Sequence, residues 1–397
     1  MNEEPAKLVL HIGQHKTGSK ALQSFLAHHV AALRAFGILY PAERRPVHGI
    51  RAYAISQYRI FGLLRREAMA ACGDVEAAEA FWAGQRVFSR PFDSVREILE
   101  SLDAERRRTR AGTLLLSAED LFDMHSAHET VGSMAWVASG ARILAGVVES
   151  LRYDPKVVVY LRRQDHLLGA HYVQFIKGSP TNTLDFESFA GTFAPRLRSR
   201  DILASWASAF GPDRVTVRPY EPAALPGGIV PDFFERALGF AVPAGWAPPP
   251  EDPESVNRTL GRDWVELLRM LNGRHNAGRT VFSREDVLEA ALSDPDGRHP
   301  GPGIAFWLSP ADRRRLLDAH AEGNAGIARR FLGSASPGLF TEPLPDDDAT
   351  WSPYTGLSAE RTLSIALRVH EAAERRRPPV IIPALRRFVR LALRRNA

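Results

Sequence analysis

The first stretch whose residue types and spacing suit chemistry is HIGQHKTGSKALQ, residues 11 to 23. A short apolar, β-prone run from Lys7 to Ile12 leads into it, and apolar residues recur at helical spacing from Ser19 onward. A helix that begins directly after such a loop directs free backbone N–H groups and the positive end of its dipole outward. Gly18 allows the backbone to approach an anion closely. The stretch therefore predicts a binding site for a phosphate or a sulfate group.

The side chains of this loop fit the same kind of ligand. Thr17 and Ser19 offer hydroxyl donors, and Lys16 and Lys20 offer full positive charges. The loop is not a Walker A motif, because Ser19-Lys20 reverses the order Lys-Ser/Thr that follows the second glycine of that motif. This order disfavours a nucleoside triphosphate with magnesium. A glycine-bearing turn without a ligand is the alternative, and two lysines beside two hydroxyls count against it.

A second candidate anion site lies in VVVYLRRQDHLLGAHY, residues 157 to 172. A buried strand there delivers Arg162 and Arg163 to its carboxyl end, where open α/β sheets bind ligands. Guanidinium groups form paired hydrogen bonds to phosphate oxygens. Two anion sites at one sheet edge suit a ligand with two separated phosphates. The alternative is that both arginines pair with surface carboxylates, which contributes little.

The two motifs together resemble sulfotransferases that use 3′-phosphoadenylyl sulfate (PAPS), in particular a bacterial branch whose first loop reads HIG-x-x-KTG-T/S. The stretches SWASAFGPDRVTVRPYEP (205 to 222) and SVNRTL (255 to 260) are similar to further segments of that branch. The resemblance covers roughly residues 7 to 260. It implies a P-loop NTPase-like α/β sulfotransferase fold with a parallel central sheet flanked by helices. It also implies PAPS as the sulfate donor, PAP as the product and no metal.

The resemblance assigns roles to the residues of the first loop. Lys16 would contact the oxygen that bridges to the sulfate, and Thr17, Gly18 and Ser19 would contact the 5′-phosphate. Lys20 stands where the family commonly has threonine or serine. A lysine there reaches the same phosphate as a point charge.

The resemblance also assigns the 3′-phosphate to the second motif. Arg162 takes the position of the family's arginine at the strand end. The serine expected eight residues later falls on Ala170, which has no hydroxyl. We therefore expect weaker 3′-phosphate binding, or a substitute donor such as His171.

Two side chains are candidates for the base that accepts the acceptor's proton. His48 lies in an irregular segment after the first strand–loop–helix unit, and we rank it slightly first. Glu119 directly follows the buried strand TLLLS, so it would share a sheet edge with both anion sites. Asp120 could orient either one. His11 lies within the first strand and is expected to be a core or supporting group.

Composition limits the class of protein. The chain has 397 residues, 45% of them hydrophobic, enough for a large core. A net charge of +5 suits an anionic ligand, and no nucleic-acid-binding module is recognisable. The single cysteine, Cys72, excludes an intrachain disulfide and a C-x-x-C metal site. No run approaches the ~20 apolar residues of a membrane span. We expect a cytoplasmic protein.

The order of predicted elements suggests two regions. Strands alternate with helices in residues 1 to 240, which we interpret as a PAPS-binding α/β core. Residues 241 to 397 follow a proline-rich connection and are mostly helical. Their arginine-rich amphipathic end, PPVIIPALRRFVRLALRRNA, either lies on anionic membrane lipid or packs on the domain, and we favour packing. Acceptor recognition is expected in this region.

The sequence thus predicts transfer of a sulfuryl group to a hydroxyl, on a carbohydrate or glycan-like acceptor by family analogy alone. One alternative is a P-loop kinase or NTPase, in which LLLSAED mimics a Walker B strand and Glu119-Asp120 supply the metal-side acids. A non-catalytic PAP-binding module is a third reading, suggested by Ala170 and Lys20.

Overall fold

The computed structural model describes residues 4–42, 57–89, 92–126, 129, 133–249, 260–276, 283–294, 307–333, 338–344 and 351–376. His48 and the arginine-rich C-terminal segment lie outside the described residues.

The described strands form one five-stranded sheet in which every pairing is parallel. The strands are β1 (Ala6–His11), β2 (Ile38–Leu39), β3 (Thr113–Ser117), β4 (Tyr153–Leu161) and β5 (Val215–Pro219). Their order across the sheet is β2-β3-β1-β4-β5. The predicted fold class, an α/β protein with a parallel sheet flanked by helices, is confirmed.

Helices connect the strands and continue after them. Those described are α1 (Ser19–His28), α2 (Val30–Ala35), α3 (Tyr58–Ala71), α4 (Val75–Ser89), α5 (Val95–Arg108), α6 (Met134–Ser150), α7 (Gln164–Gly178), α8 (Phe186–Phe193), α9 (Ser199–Phe210), α10 (Ile229–Phe233), α11 (Arg262–Asn276), α12 (Arg284–Ser293), α13 (Pro310–Ile327) and α14 (Ala359–Arg376). Short 3₁₀ turns cover Glu119–Leu121, Ala194–Leu197 and Pro212–Arg214.

Two predicted helices have different bounds in the structure. The alanine-rich sequence from Glu67 to Arg86 predicts a helix, but the structure divides this stretch: α3 ends at Ala71 and α4 begins at Val75. The sequence also predicts a helix from Ala141 to Leu151, and in the structure this helix begins seven residues earlier, at Met134. Both corrections concern where a helix starts or stops, which local turn residues decide more than apolar periodicity does.

The side chains of the central strands alternate between two apolar layers, as expected for a strand period of two. On β1, Leu8 and Leu10 join a layer that includes residues of α3, α5, α6 and α9. Val9 joins the opposite layer, with residues of α1 and α10. Both faces are therefore buried, which explains why the strands appear in the sequence as continuous apolar runs.

The strand order brings three loops together. β1 lies between β3 and β4, so that His11 is level with Ser117 on one side and with Val158 on the other. Because all the strands are parallel, the segments that follow β1, β3 and β4 leave the same edge of the sheet. Ligands of open α/β sheets bind at the carboxyl edge, where the strand order reverses.

The chain divides into two compact units. The first comprises Met1–Phe175, Leu184–Val256 and Ile304–Pro353 and contains the sheet. The second comprises Ile176–Thr183, Asn257–Gly303 and Tyr354–Ala397. The division at residue 240 that the sequence suggested stays a prediction.

Within the second unit, the described helices α11, α12 and α14 are joined by one buried carboxylate. Asp294 accepts hydrogen bonds from Trp264 Nε1 and from Arg361 Nη2, both at 2.9 Å. Among the described residues, no helix has both the length and the apolar composition needed to cross a membrane.

Candidate functional site

The loop between β1 and α1 holds its backbone in an uncommon conformation. Gly13, Lys16 and Gly18 all have positive φ, at 62°, 67° and 81°. For a lysine this conformation is strained, and such strain clusters at binding and catalytic sites. Gly18 directly precedes α1, and no side chain caps that helix. The first N–H groups of α1 are therefore available to an anion.

Gly13 packs closely against the segment after β3. A Cβ atom at Gly13 would lie 2.8 Å from both Cα and Cβ of Glu119. Glu119 itself is half-buried and accepts a hydrogen bond from Gln23 Nε2 at 2.5 Å. The structure thus places this carboxylate against the first loop, at the sheet edge where the sequence placed it.

The loop's polar side chains have different surroundings. Thr17 is fully buried, and its hydroxyl donates to the carbonyl oxygen of Gln14 at 2.6 Å. The hydroxyl of Ser19 is buried and has no hydrogen-bond partner among the described residues. Lys20 is exposed on α1. Ser19 is therefore the hydroxyl of this loop that remains available.

Arg162 connects the two predicted anion-binding segments. Its Nη1 donates to the carbonyl oxygen of Lys16 at 3.0 Å, and its backbone N–H donates to Gln14 Oε1 at 2.8 Å. Burial lowers the pKa of Arg162, although guanidinium remains charged at any physiological pH. The loop after β1 and the end of β4 therefore lie side by side.

Arg163 has a different environment. It is buried and pairs with Asp165 at 2.9 Å, while its Nη1 donates to the carbonyl oxygens of Glu342 and Pro343. Through these contacts the guanidinium of Arg163 joins the start of α7 to the segment that contains Glu342 and Pro343. Of the two consecutive arginines, only Arg162 contacts the loop that contains Lys16.

Helix α7 contacts the loop at two successive turns. Lys16 Nζ donates to Gln174 Oε1 at 2.7 Å, and the ring of His15 lies edge-on to that of His171, with centroids 5.4 Å apart. Ala170 is half-buried on the same helix, next to His171. Nδ1 of His171 is buried without a partner among the described residues, and burial places the pKa of this ring well below its usual value.

His11 has the supporting position expected for it. It is fully buried, its Nδ1 is 2.8 Å from Ser117 Oγ, and its ring packs edge-on to Tyr160 and Phe233. Burial lowers its pKa to about 4. His11 is therefore neutral at physiological pH.

Sequence reasoning named Asp120 and His171 separately but missed the group of buried polar residues to which they belong, which adjoins the loop. We call it the histidine–aspartate cluster; its members are His15, Asp120, Asp123, His125, His171 and Arg196. Arg196 Nε donates to Asp123 Oδ2 at 2.6 Å. Asp123 Oδ1, His125 Nε2 and Arg196 Nη2 have no partner among the described residues. The only signal in the sequence is the concentration of Asp120, Asp123 and His125 just after a buried strand.

The chain was compared with known proteins. No family model matches it. An uncharacterized protein of Archaeoglobus fulgidus is 27% identical over 189 residues, 47% of this chain and 48% of that protein. The chain thus matches about half the length of that relative. Among solved structures, a sulfotransferase from Alicyclobacillus acidocaldarius aligns over 73% of this chain and 96% of its own, with 13% identity and a TM-score of 0.31. At that TM-score the likeness is distant.

The close packing at Gly13 makes this position intolerant of any side chain. We expect Gly13→Ala to lower the free energy of unfolding by about 1–3 kcal/mol, because the backbone has positive φ and Glu119 is in the way. Gly191→Ala is the matched control, since Gly191 lies in α8 with nothing within 4 Å of an added Cβ. It should gain up to about 1 kcal/mol. Urea denaturation measures both, and equal effects would contradict the packing argument.

The buried neutral state of His11 predicts a pH dependence of stability. Its folded pKa is about 4 against 6.5 for the free side chain, so the unfolded chain binds the extra proton between these values. Stability from this residue is therefore complete above pH 6.5 and falls as the pH drops towards 4. His11→Asn, which retains a polar atom for Ser117, should reduce the slope of unfolding free energy against pH by up to about 1.4 kcal/mol per unit in this window. An unchanged slope would show that His11 is not buried as a neutral ring.

Proposed function

We propose that this protein is a sulfotransferase that moves a sulfuryl group from PAPS to an acceptor hydroxyl. One observation carries the proposal, namely the hydrogen bond from Arg162 Nη1 to the carbonyl oxygen of Lys16. A ligand with phosphates at both ends of an adenosine needs two anion sites that adjoin. The two segments that resemble the 5′- and 3′-phosphate motifs of sulfotransferases meet this requirement.

The first loop would hold the 5′-phosphosulfate. The uncapped start of α1 supplies N–H donors, and Ser19 Oγ is the loop hydroxyl without a partner among the described residues. Thr17 would contribute through its backbone, because its hydroxyl is already bonded to Gln14. Lys20, exposed on α1, would add its charge without a fixed contact.

The strand end of β4 would hold the 3′-phosphate. Arg162 is the charged group here, and its bond to the loop fixes the distance between the two sites. Ala170 offers no hydroxyl, so the neighbouring α7 residue His171 is the proposed substitute donor. Its buried Nδ1 is unpartnered among the described residues, so its hydrogen-bonding capacity is not used elsewhere.

The chemistry would depend on positioning and charge rather than on covalent catalysis. The acceptor oxygen attacks sulfur in line while the oxygen of the 5′-phosphate leaves, by analogy with phosphoryl transfer. Lys16 would stabilise the charge on that leaving oxygen, and the amide of Gln174 at 2.7 Å already orients its ammonium group. Fold-level analogy alone suggests a carbohydrate or glycan-like acceptor.

A kinase-like reaction with a magnesium nucleotide is the second candidate, because Glu119 lies against Gly13 where a metal-side acid would lie. The order of the loop residues argues against it. Ser19-Lys20 reverses the lysine and hydroxyl order with which a Walker A loop holds a magnesium nucleotide.

Ligand-dependent thermal stability tests the proposal. We expect saturating PAP to raise the Tm of the wild type by several degrees, since binding to the folded state alone stabilises it. Lys16→Ala and Arg162→Ala should each lose this shift, because each removes a positive charge from one of the two anion sites. Differential scanning fluorimetry with PAP, with ATP plus magnesium and with AMP measures it.

Arg214→Ala is the matched control, since Arg214 is exposed and precedes β5 at the opposite edge of the sheet. It should retain the full PAP shift. A larger shift with ATP plus magnesium than with PAP would favour the kinase-like reaction. No shift with saturating PAP would refute the sulfotransferase assignment and the PAP-binding module together.

A further inference from the structure

His15, the loop residue before Lys16, has one ring nitrogen fixed by the protein. The residue is 6% exposed. Its Nε2 lies 3.0 Å from the carbonyl oxygen of His125 and 3.6 Å from Asp120 Oδ1. A carbonyl oxygen can only accept, so the hydrogen of the neutral ring is on Nε2. The tautomer of a histidine is set in this way by the bond that one nitrogen makes, which leaves the lone pair on the other.

The other nitrogen, Nδ1, is available. It makes no hydrogen bond to a described residue. It is also not one of the fully buried polar atoms that lack a partner, so it is not completely enclosed by the protein. His15 also directly precedes, in the loop, the lysine that would stabilise the leaving oxygen. His15 and Lys16 contact α7 one turn apart, at His171 and at Gln174. A proton acceptor is thus held beside the proposed position of sulfuryl transfer.

Charged groups from every neighbouring element surround this ring. Glu119 and Asp120 come from the 3₁₀ turn after β3, and Asp123 and His125 follow it. Arg196 comes from the turn after α8, and His171 from α7. Because Arg196 and Asp123 neutralise each other at 2.6 Å, the carboxyl group of Asp120 is the remaining acid beside Nε2.

These surroundings suit a base that is neutral at rest. Burial is the largest influence on the pKa of His15 and lowers it below 6.5, while Asp123 and Glu119 oppose that effect. The ring is therefore unprotonated at pH 7. Burial raises the pKa of Asp120, and a positive charge on His15 would favour its ionised form. The carboxyl group of Asp120 lies beside Nε2, the nitrogen that does not accept the proton. A carboxyl group in this position stabilises the imidazolium as it forms, as in hydrolases with a histidine base.

We propose that His15 is the general base of this protein, with Asp120 and the His125 carbonyl as its positioning groups. The inference rests on the proposed function. The acceptor oxygen forms its bond to sulfur while its proton passes to Nδ1 of His15. The bond from sulfur to the 5′-phosphate oxygen breaks, and that oxygen keeps the electron pair. Glu119 is the alternative base, with one of its carboxylate oxygens, Oε2, already bonded to Gln23.

The test uses the full chain with [³⁵S]PAPS as donor and water as acceptor, following the release of sulfate and PAP from pH 4.5 to 9. We expect His15→Gln to bind PAP with an unchanged Tm shift and to lose about 10²–10⁴-fold in turnover, the usual contribution of a general base. The wild-type rate should fall tenfold per pH unit below the pKa of His15, on a limb below pH 6.5. His15→Gln should lack that limb.

Asp120→Asn is a second variant that tests the positioning role. It should bind PAP normally, lose less turnover than His15→Gln and move the acid limb to lower pH, because an amide cannot ionise beside Nε2 when the imidazolium forms. A purely structural aspartate would leave the limb where it is. His28→Gln, at an exposed histidine of α1, is the control and should behave as the wild type.

The outcomes separate this inference from the proposed function. If the wild type shows no PAP shift, both fail. If PAP binds but His15→Gln retains turnover within threefold, only the assignment of the base fails. A large loss confined to His48→Gln or Glu119→Gln would move the role to that residue. PAP binding without turnover by the wild type would also overturn the inference and favour a non-catalytic module.

Discussion

The hydrogen bond between the Arg162 guanidinium and the Lys16 carbonyl is the contact on which the candidate site depends. It joins the segment after β1 to the segment after β4 and therefore sets the separation of two positive groups. Because Arg162 is partly buried, its charge is screened less than that of a surface arginine. Lys16, which accepts this bond, also has a strained backbone, with a φ of 67°. Strain, burial and charge thus occur together at one point of the sheet edge.

The sheet order makes this contact achievable. β1 lies in the centre, with β3 and β4 as its neighbours, so their following segments share an edge with the loop. Glu119 after β3 comes so close that Gly13 cannot carry a side chain, and Arg162 after β4 reaches the loop from the other side. The loop is therefore held from both flanks. A preorganised loop of this kind would bind an anion without first having to be ordered.

The histidine–aspartate cluster gives the candidate site groups for proton transfer in addition to those for anion binding. Anion binding needs positive charge and N–H donors, whereas these buried rings and carboxyl groups are suited to holding and moving protons. Burial lowers the pKa of His15 and His171 and raises that of Asp120, so that all three favour their uncharged forms. Groups of this kind adjoining an anion site are typical of active sites. Proton transfer and charge stabilisation would then take place on neighbouring residues of one loop.

The sequence by itself predicted an α/β fold with a parallel sheet and placed the loop and Arg162 at strand ends, because apolar runs and a glycine-bearing turn are local signals. The residue types alone did not distinguish Arg162 from Arg163, and only the family resemblance selected Arg162. Packing is what brings Arg162 to Lys16 and Arg163 to Asp165. Nor did the sequence show that Thr17 bonds within its own loop while Ser19 remains available. The cluster around His15 joins residues more than a hundred positions apart, such as His15 and His125. The hydrophobic periodicity of the sequence cannot show such contacts, because they form only once the strands have assembled.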